Sequence, residues 1–283
     1  MKICELKSWH ELPDMCRELD AEREKLLSKA LLPYSVSSFL FRGQANAEWP
    51  LSDTLERAVG KKDMVNVLTY YETILSVKPE IELFAGQTLD DIPSHSEYQE
   101  RLQSEIGFPR FGLPAYEYMV HLRHHGFPSP LLDWTRSPYI AAFFAFDERS
   151  PNADQVAIYA FIKDIGYGES GSSGEPKITT HGPYIKGHRR HFLQQAEYSV
   201  CTLGYETYQY APHEKGFAAS GDEQDARWKI TLPASERDTA LEELERMNIT
   251  PYSLFGSEES LMKTIGRREF RSKRYQPKSD GKS

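Results

Sequence analysis

Three short runs of residues carry side chains able to do chemistry. The first is Phe41-Arg42-Gly43-Gln44, followed by Trp49-Pro50-Leu51 and Arg57. A guanidinium is a planar fork that matches phosphate or carboxylate, and a glycine beside it lets a ligand come close to the backbone. The plainer role for Arg42 is an ion pair with an acid at a sheet end. The second run is HHGFPSPLLDWTRSP, from His124 to Pro138. One helix should end at Gly126 and another start at Ser137, so two helix termini meet one loop. Free N–H groups at the second start favour an anion. Asp133 would hold backbone groups or His125, and Trp134 would stack on a base or fill the core. The third run is Arg189-Arg190-His191-Phe192-Leu193-Gln194-Gln195-Ala196-Glu197-Tyr198. Residues two apart on a strand share a face, so Gln195 and Glu197 would project together, with Gln194 on the other side unless a bulge intervenes. Such a pair can bind a ribose hydroxyl and stabilise a developing cation. It is also ordinary decoration of an exposed face.

Other chemistries lack their residues. His121, His124 and His125 have helical spacing, but no HExxH and no cysteine accompanies them, so no metal site is expected. His181, His188 and His191 form no ligand pattern. No Walker loop, GxGxxG or GxSxG occurs, which disfavours P-loop, Rossmann and α/β-hydrolase chemistry.

The elements that must position these runs follow from patterning. Ser8 and Glu11 have capping-box spacing, with Leu12, Cys16 and Leu19 at helical intervals behind them. Residues 37–41 read as a strand ending at Arg42-Gly43. Residues 63–78 look helical, and 87–97 polar and turn-rich. Pro114 can open a helix running to about His125. Pro138 opens another, capped by Ser137 and apolar nearly all round, hence buried. Residues 155–163, 191–202 and 226–232 read as strands. Ser235 with Asp238 caps a helix to about Met247, and a last helix starts near Ser257. The result is an α+β protein with a central, largely antiparallel sheet and packed helices.

Composition narrows the class. With 283 residues, 27% charged and 39% hydrophobic, the chain suits a globular protein and not a disordered one. The longest mainly apolar stretch, 139–146, is far too short to span a membrane. The opening MKICELKSWHEL has no apolar core, so no secretory signal is expected. Cys4, Cys16 and Cys201 are odd in number and widely spaced, which points to reduced thiols and a cytoplasmic location. Residues 263–283 hold eight basic and two acidic side chains in a chain of net charge −8. That tail would touch nucleic acid, fold back on the acidic body, or stay solvated. Gly/Ser-rich 166–174 reads as a mobile loop, reaching to about 187, between a longer and a shorter part.

Taken in order, the three runs resemble the FRG domain family, named for the Phe-Arg-Gly seen here as Phe41-Arg42-Gly43. HHGFPSPLLDWTRSPYIAAFFAF is similar to its second block, with Ser129-Pro130 where the family carries Thr-Arg. Residues 189–198 resemble its third block, with Tyr198 for a phenylalanine, and 248–255 its C-terminal apolar turn. The resemblance implies one motif-bearing domain within 1–262, its core about 35–262, followed by the basic tail 263–283. A looser analogy with ADP-ribosyltransferases rests on the order arginine, serine, glutamate. It implies NAD as substrate, Arg42 gripping its phosphates and ribose, Ser137 (or Thr135) ordering the nicotinamide pocket, and Glu197 stabilising an oxocarbenium-like state. The expected catalytic set is Arg42, His125, Asp133 and Glu197. The expected ligand set is Arg42, Gly43, Gln44, Trp134, Ser137, Gln194 and Tyr198. Three functions follow as expectations: an ADP-ribosyltransferase-like toxin or defence effector modifying a macromolecular target, a non-catalytic nucleotide-binding module, or a nucleic-acid enzyme using His124, His125 and Asp133.

Overall fold

The computed structural model describes residues 1–60, 64–86, 92–104, 113, 115–167, 174–182, 189–204, 207–220 and 224–271, the side chains of 101–104 and 271 excepted. Its strands are β1 (Lys2–Glu5), β2 (Leu40–Gln44), β3 (Val65–Asn66), β4 (Leu132–Thr135), β5 (Gln155–Ile162), β6 (Lys177–His181), β7 (Ala196–Leu203), β8 (Gln209–Tyr210) and β9 (Ala226–Pro233). They make one mixed sheet in the order β1-β9-β5-β2-β4-β7-β8-β3, with β6 also on β7. Only β1 and β9 run parallel among these pairs. The helices are α1 (Leu12–Lys29), α2 (Thr54–Val59), α3 (Val67–Ala85), α4 (His95–Ser104), α5 (Tyr116–His124), α6 (Pro138–Asp147), α7 (Arg189–Leu193), α8 (His213–Ala219), α9 (Arg237–Arg246), α10 (Pro251–Phe255) and α11 (Glu258–Arg271). The α+β class with a mostly antiparallel sheet is as expected.

Strand alternation sorts the core into two faces. Phe41, Ile158, Ala160 and Ile230 face α1, α6 and α9, with Trp9, Leu12, Phe143 and Leu244 between them. Farther along that face, Ala196, Tyr198 and Val200 bury against Tyr70, Ile74, Met119 and Leu122 of α3 and α5. Leu40, Trp134, Tyr159 and Phe161 turn to the opposite face, where Phe217 of α8 meets them. Helix α6 begins where Ser137 Oγ accepts the Ile140 N–H, with Pro138 at its first position. Its apolar circumference is buried, as such a helix must be.

Several expected boundaries need correction. The strand expected at 37–41 starts at Leu40 and runs through Gln44, because β5 pairs every residue from Leu40 to Gln44. Ser37 is instead tied to the chain after β5, through its N–H on Asp164 O and its Oγ taking the Asp164 N–H. The helix expected at 63–78 begins at Val67, where Asn66 caps it, and continues past Pro79. The strand expected at 191–202 is half helix. His191 is buried in α7, the chain turns at Gln195 with φ +48°, and only then does β7 start. Gln195 therefore does not share a strand face with Glu197. Ser8 caps a short 3-10 turn at 9–11 that leads into α1. Neither Ser235 nor Asp238 caps α9; it follows a 3-10 turn at 234–236, and its N-cap residue, Glu236, accepts from Ser8 Oγ and the Trp9 N–H. Residues 92–97, expected as turn, lead into α4. Pro114, His188, residues 168–173 of the Gly/Ser stretch and 272–283 of the tail lie outside the described residues.

The start of the basic segment does fold back on an acid. The Asp147 carboxylate, at the end of α6, receives Lys263 Nζ at 2.7 Å and Arg267 Nη2 at 2.5 Å. No helix among the described residues is long and apolar enough to cross a membrane.

Candidate functional site

Arg42 leaves β2 where the sheet parts. Strands β2 and β4 pair at Phe41 and Thr135 alone. Beyond that pair the guanidinium takes over the bonding: Arg42 Nη1 donates to the Asp133 carbonyl at 2.8 Å and lies 3.9 Å from Asp133 Oδ2. A second arginine, Arg123 from the last turn of α5, donates through Nη2 to the same carboxylate oxygen. Two cations thus share one anion. Their side chains are 15% and 18% exposed, against 36% for Asp133, so the carboxylate marks the solvent side. The Nε atoms of Arg42 and Arg123 are both buried with no hydrogen-bond partner. Burial draws the Arg42 pKa down to about 10, with Arg123 and Arg57 pushing the same way and Asp133 and Asp53 opposing. Arg42 still carries its charge at neutral pH.

Gly43 has a different task from the one expected of it. It faces α6, and a Cβ there would overlap the Ala141 carbonyl oxygen and come within 2.6 Å of Ala145 N. What approaches this backbone closely is a helix, not a ligand. Gln44 emerges on the opposite face, 7% exposed, and its Nε2 donates to Pro50 O at 3.1 Å.

Trp134 pairs with Glu197 on β7 and, one residue from the Phe41–Thr135 pair, alternates to the same side as Arg42. All three point to one sheet face. Trp134 is 3% exposed, and its indole N–H donates to Ser199 Oγ at 2.8 Å. Ser199 Oγ lies 3.0 Å from His213 Nε2, and His213 Nδ1 lies 3.4 Å from Asp53 Oδ2. Asp53 in turn caps α2 by accepting the Glu56 N–H at 2.8 Å. This buried relay ties β4, β7, α8 and α2 together. Glu197 is 17% exposed on its side chain, 3.9 Å from Arg136 Nε. Burial raises its pKa, and Arg136 opposes the rise.

The remaining expected residues are placed elsewhere. Tyr198 is fully buried on the α5 side, its hydroxyl 3.1 Å from His124 Nε2 and its ring stacked on His191. Gln194 Nε2 donates to Leu254 O, and its carbonyl accepts from Thr135 Oγ1 at 2.7 Å. Ser137 caps α6. His125 is exposed at the end of α5, its ring centroid 4.6 Å from that of His121. Asp133, for which the sequence offered backbone groups or His125 as partners, holds the two arginines. No group of three metal-ligating side chains occurs among the described residues. The structure thus joins Arg42 and Asp133 directly and sets Trp134 and Glu197 in the same row. It separates Tyr198, Gln194 and Ser137 from that face.

Sequence reasoning missed Arg123, Asp53, Ser199 and His213. The signal for Arg123 was a charge among the apolar positions of α5, ten residues before Asp133. Nothing in the spacing announces Ser199 and His213, which meet only through the packing of α8 on β7.

Residues 37–154 match the family model described as FRG domain. The matched stretch contains Arg42, Gly43, Arg123, Asp133 and Ser137; the segments 189–198 and 248–255 lie beyond it. No curated protein and no solved structure matches the chain.

Proposed function

The chain carries an FRG domain, and from that premise we propose that this domain binds a phosphate-bearing small molecule, with Arg42 and Arg123 as its anion grip. The observation that carries this reading is the pair of guanidinium groups on the single Asp133 carboxylate, each with a buried Nε left unpartnered. Two cations against one anion leave a positive surplus, and a buried donor without an acceptor costs about 1–3 kcal/mol. A phosphate oxygen entering past Asp133 would relieve both. Arg is the suited residue because its fork meets tetrahedral oxyanions with paired N–H groups.

Calorimetric titration of inorganic phosphate, adenosine monophosphate and NAD tests this. Folded wild type should bind saturably and more weakly as salt rises. Arg42→Gln or Arg123→Gln, checked first by circular dichroism to be folded at the titration temperature, should lose roughly ten- to a hundred-fold, the worth of a charge-assisted bond. Failure of all three anions to bind folded wild type would sink the reading.

A second reading is favoured by the row Arg42, Trp134, Glu197 on one sheet face. If NAD is the bound anion, Glu197 would face the ribose while Arg42 holds the phosphates, across about 10 Å of sheet. The C1′–nicotinamide bond would break, nicotinamide leaving with the bonding pair. The Glu197 carboxylate would stabilise the resulting cation until a target nucleophile bonds to C1′ and gives up its proton. Incubation with NAD and a cell lysate should then release nicotinamide from wild type and not from Glu197→Gln. Saturable NAD binding with no release leaves the domain a binding module.

A further inference from the structure

Gln44 offers a chemistry that the anion grip does not use. On β2 the side chains alternate: Phe41 and Gly43 lie under α6, while Arg42 and Gln44 come out together on the other face. The Gln44 amide is oriented by its Nε2 bond to Pro50 O. That bond assigns the other amide atom, Oε1, as an acceptor, and Oε1 is buried with no hydrogen-bond partner. Arg42 Nε, a donor, is in the same condition two residues away. An unpartnered acceptor and an unpartnered donor thus belong to residues whose backbones are about 7 Å apart along the strand, both leaving it on the face away from α6.

A free inorganic anion satisfies only the arginine. It brings oxygens for Arg42 Nε, but its own O–H sits on the same phosphorus and does not extend along the strand to an amide oxygen two residues away. A sugar phosphate brings both. Its phosphate meets the guanidinium, and a ring hydroxyl, one sugar away, donates to Oε1. The turn 45–50 follows directly, held by Gln44 Nε2 on Pro50 O and by the Ala47 N–H on Gln155 O.

Resting on the anion reading above, we propose that Gln44 is the specificity residue of the site and that the ligand is a phosphorylated sugar or nucleotide, recognised through a hydroxyl that donates to Gln44 Oε1. A site built to pair a hydroxyl rejects ligands that lack one, because its own acceptor is then left unsatisfied.

The test is a ratio of affinities measured on the full chain with three probes: inorganic phosphate, methyl phosphate and ribose 5-phosphate. Wild type should bind ribose 5-phosphate about ten-fold more tightly than the other two, and those two alike. Gln44→Met keeps the length and removes the acceptor. It should bring ribose 5-phosphate down to the level of inorganic phosphate while inorganic phosphate itself stays within about two-fold. A role for Gln44 in latching the turn alone would weaken all three probes together and leave the ratio unchanged, which overturns the proposal. Equal affinities in wild type overturn it too, whether or not the Met variant folds, while leaving the anion grip standing. Absence of binding by all three probes removes the grip and this inference together.

Discussion

At the scale of single residues, neighbours in the Phe-Arg-Gly run do opposite work. Arg42 stays with polar partners where β2 and β4 part, and Gly43 is small because α6 lies on it. The two roles predict different failures. Gly43→Ala must push a helix backbone off the sheet, since the overlapping atoms are main chain and cannot swing away. We expect a loss of about 3 kcal/mol or more in urea unfolding, at or above the usual range for overpacking. A loss below about 1 kcal/mol would show that α6 yields and that Gly43 serves something else. Arg42→Gln gives up the bond to the Asp133 carbonyl, worth about 1.5–3 kcal/mol for a charged donor, and beyond that loss it should act on anion binding. The contrast separates a packing residue from a binding residue inside one short motif.

At the scale of elements, the relay from Trp134 through Ser199 and His213 to Asp53 joins pieces that the chain supplies far apart. Trp134 is on β4, Ser199 on β7, His213 opens α8 and Asp53 caps α2. The indole N–H donates to Ser199 Oγ, and Ser199 Oγ and His213 Nε2 share the next hydrogen bond, its direction set by the imidazole tautomer. Ser199→Ala removes the centre and strands two buried polar atoms at once, the indole N–H and His213 Nε2. A cost of about 2–3 kcal/mol follows from the usual penalty for unsatisfied buried groups. Thermal unfolding should show it, with the Trp134 environment changed in near-UV circular dichroism. An unaltered melting curve would mean the relay is incidental. The relay also explains why Trp134, which its sequence position offers equally to a base or to the core, is a core residue: its one polar atom is already engaged.

At the scale of the whole molecule, stability should depend on pH through His181. This imidazole is 9% exposed between β7 and Tyr116, and burial lowers its pKa to about 4. In the unfolded chain the value is about 6.5. Below 6.5 the unfolded state binds a proton that the folded state refuses. The contribution is therefore complete above pH 6.5 and shrinks as pH falls toward 4, by up to about 3 kcal/mol for one proton. Burial raises the Glu197 and Asp225 carboxyls, which acts in the opposite sense: their protonation on acidification favours the folded state. Comparing wild type with His181→Phe isolates the histidine. The wild type should lose more stability than the variant between pH 7 and 5, and parallel curves would remove His181 as the cause. The charged tail acts at this scale as well. Lys263 and Arg267 close on Asp147, so two of its cations are already committed to the body.

Local rules carried much of this in the sequence alone. The Ser137-Pro138 start of α6, its all-round apolar surface and the strands at β5 and β9 were legible because caps, periodicity and alternation act between near neighbours. The importance of Arg42 and Asp133 was legible from their chemistry, and the family match over 37–154 includes both. Their partnership was not, since 91 residues separate them and only the parting of β2 from β4 brings the guanidinium to the Asp133 carbonyl. The same holds for Gln195, whose turn at φ +48° and following strand depend on α7 packing its buried His191 against Tyr198. Alternation decides which face a strand residue takes, but only the sheet order decides what waits there. That order placed a helix backbone on Gly43, an unpartnered acceptor beside Arg42 on the far face, and Glu197 one strand beyond Trp134.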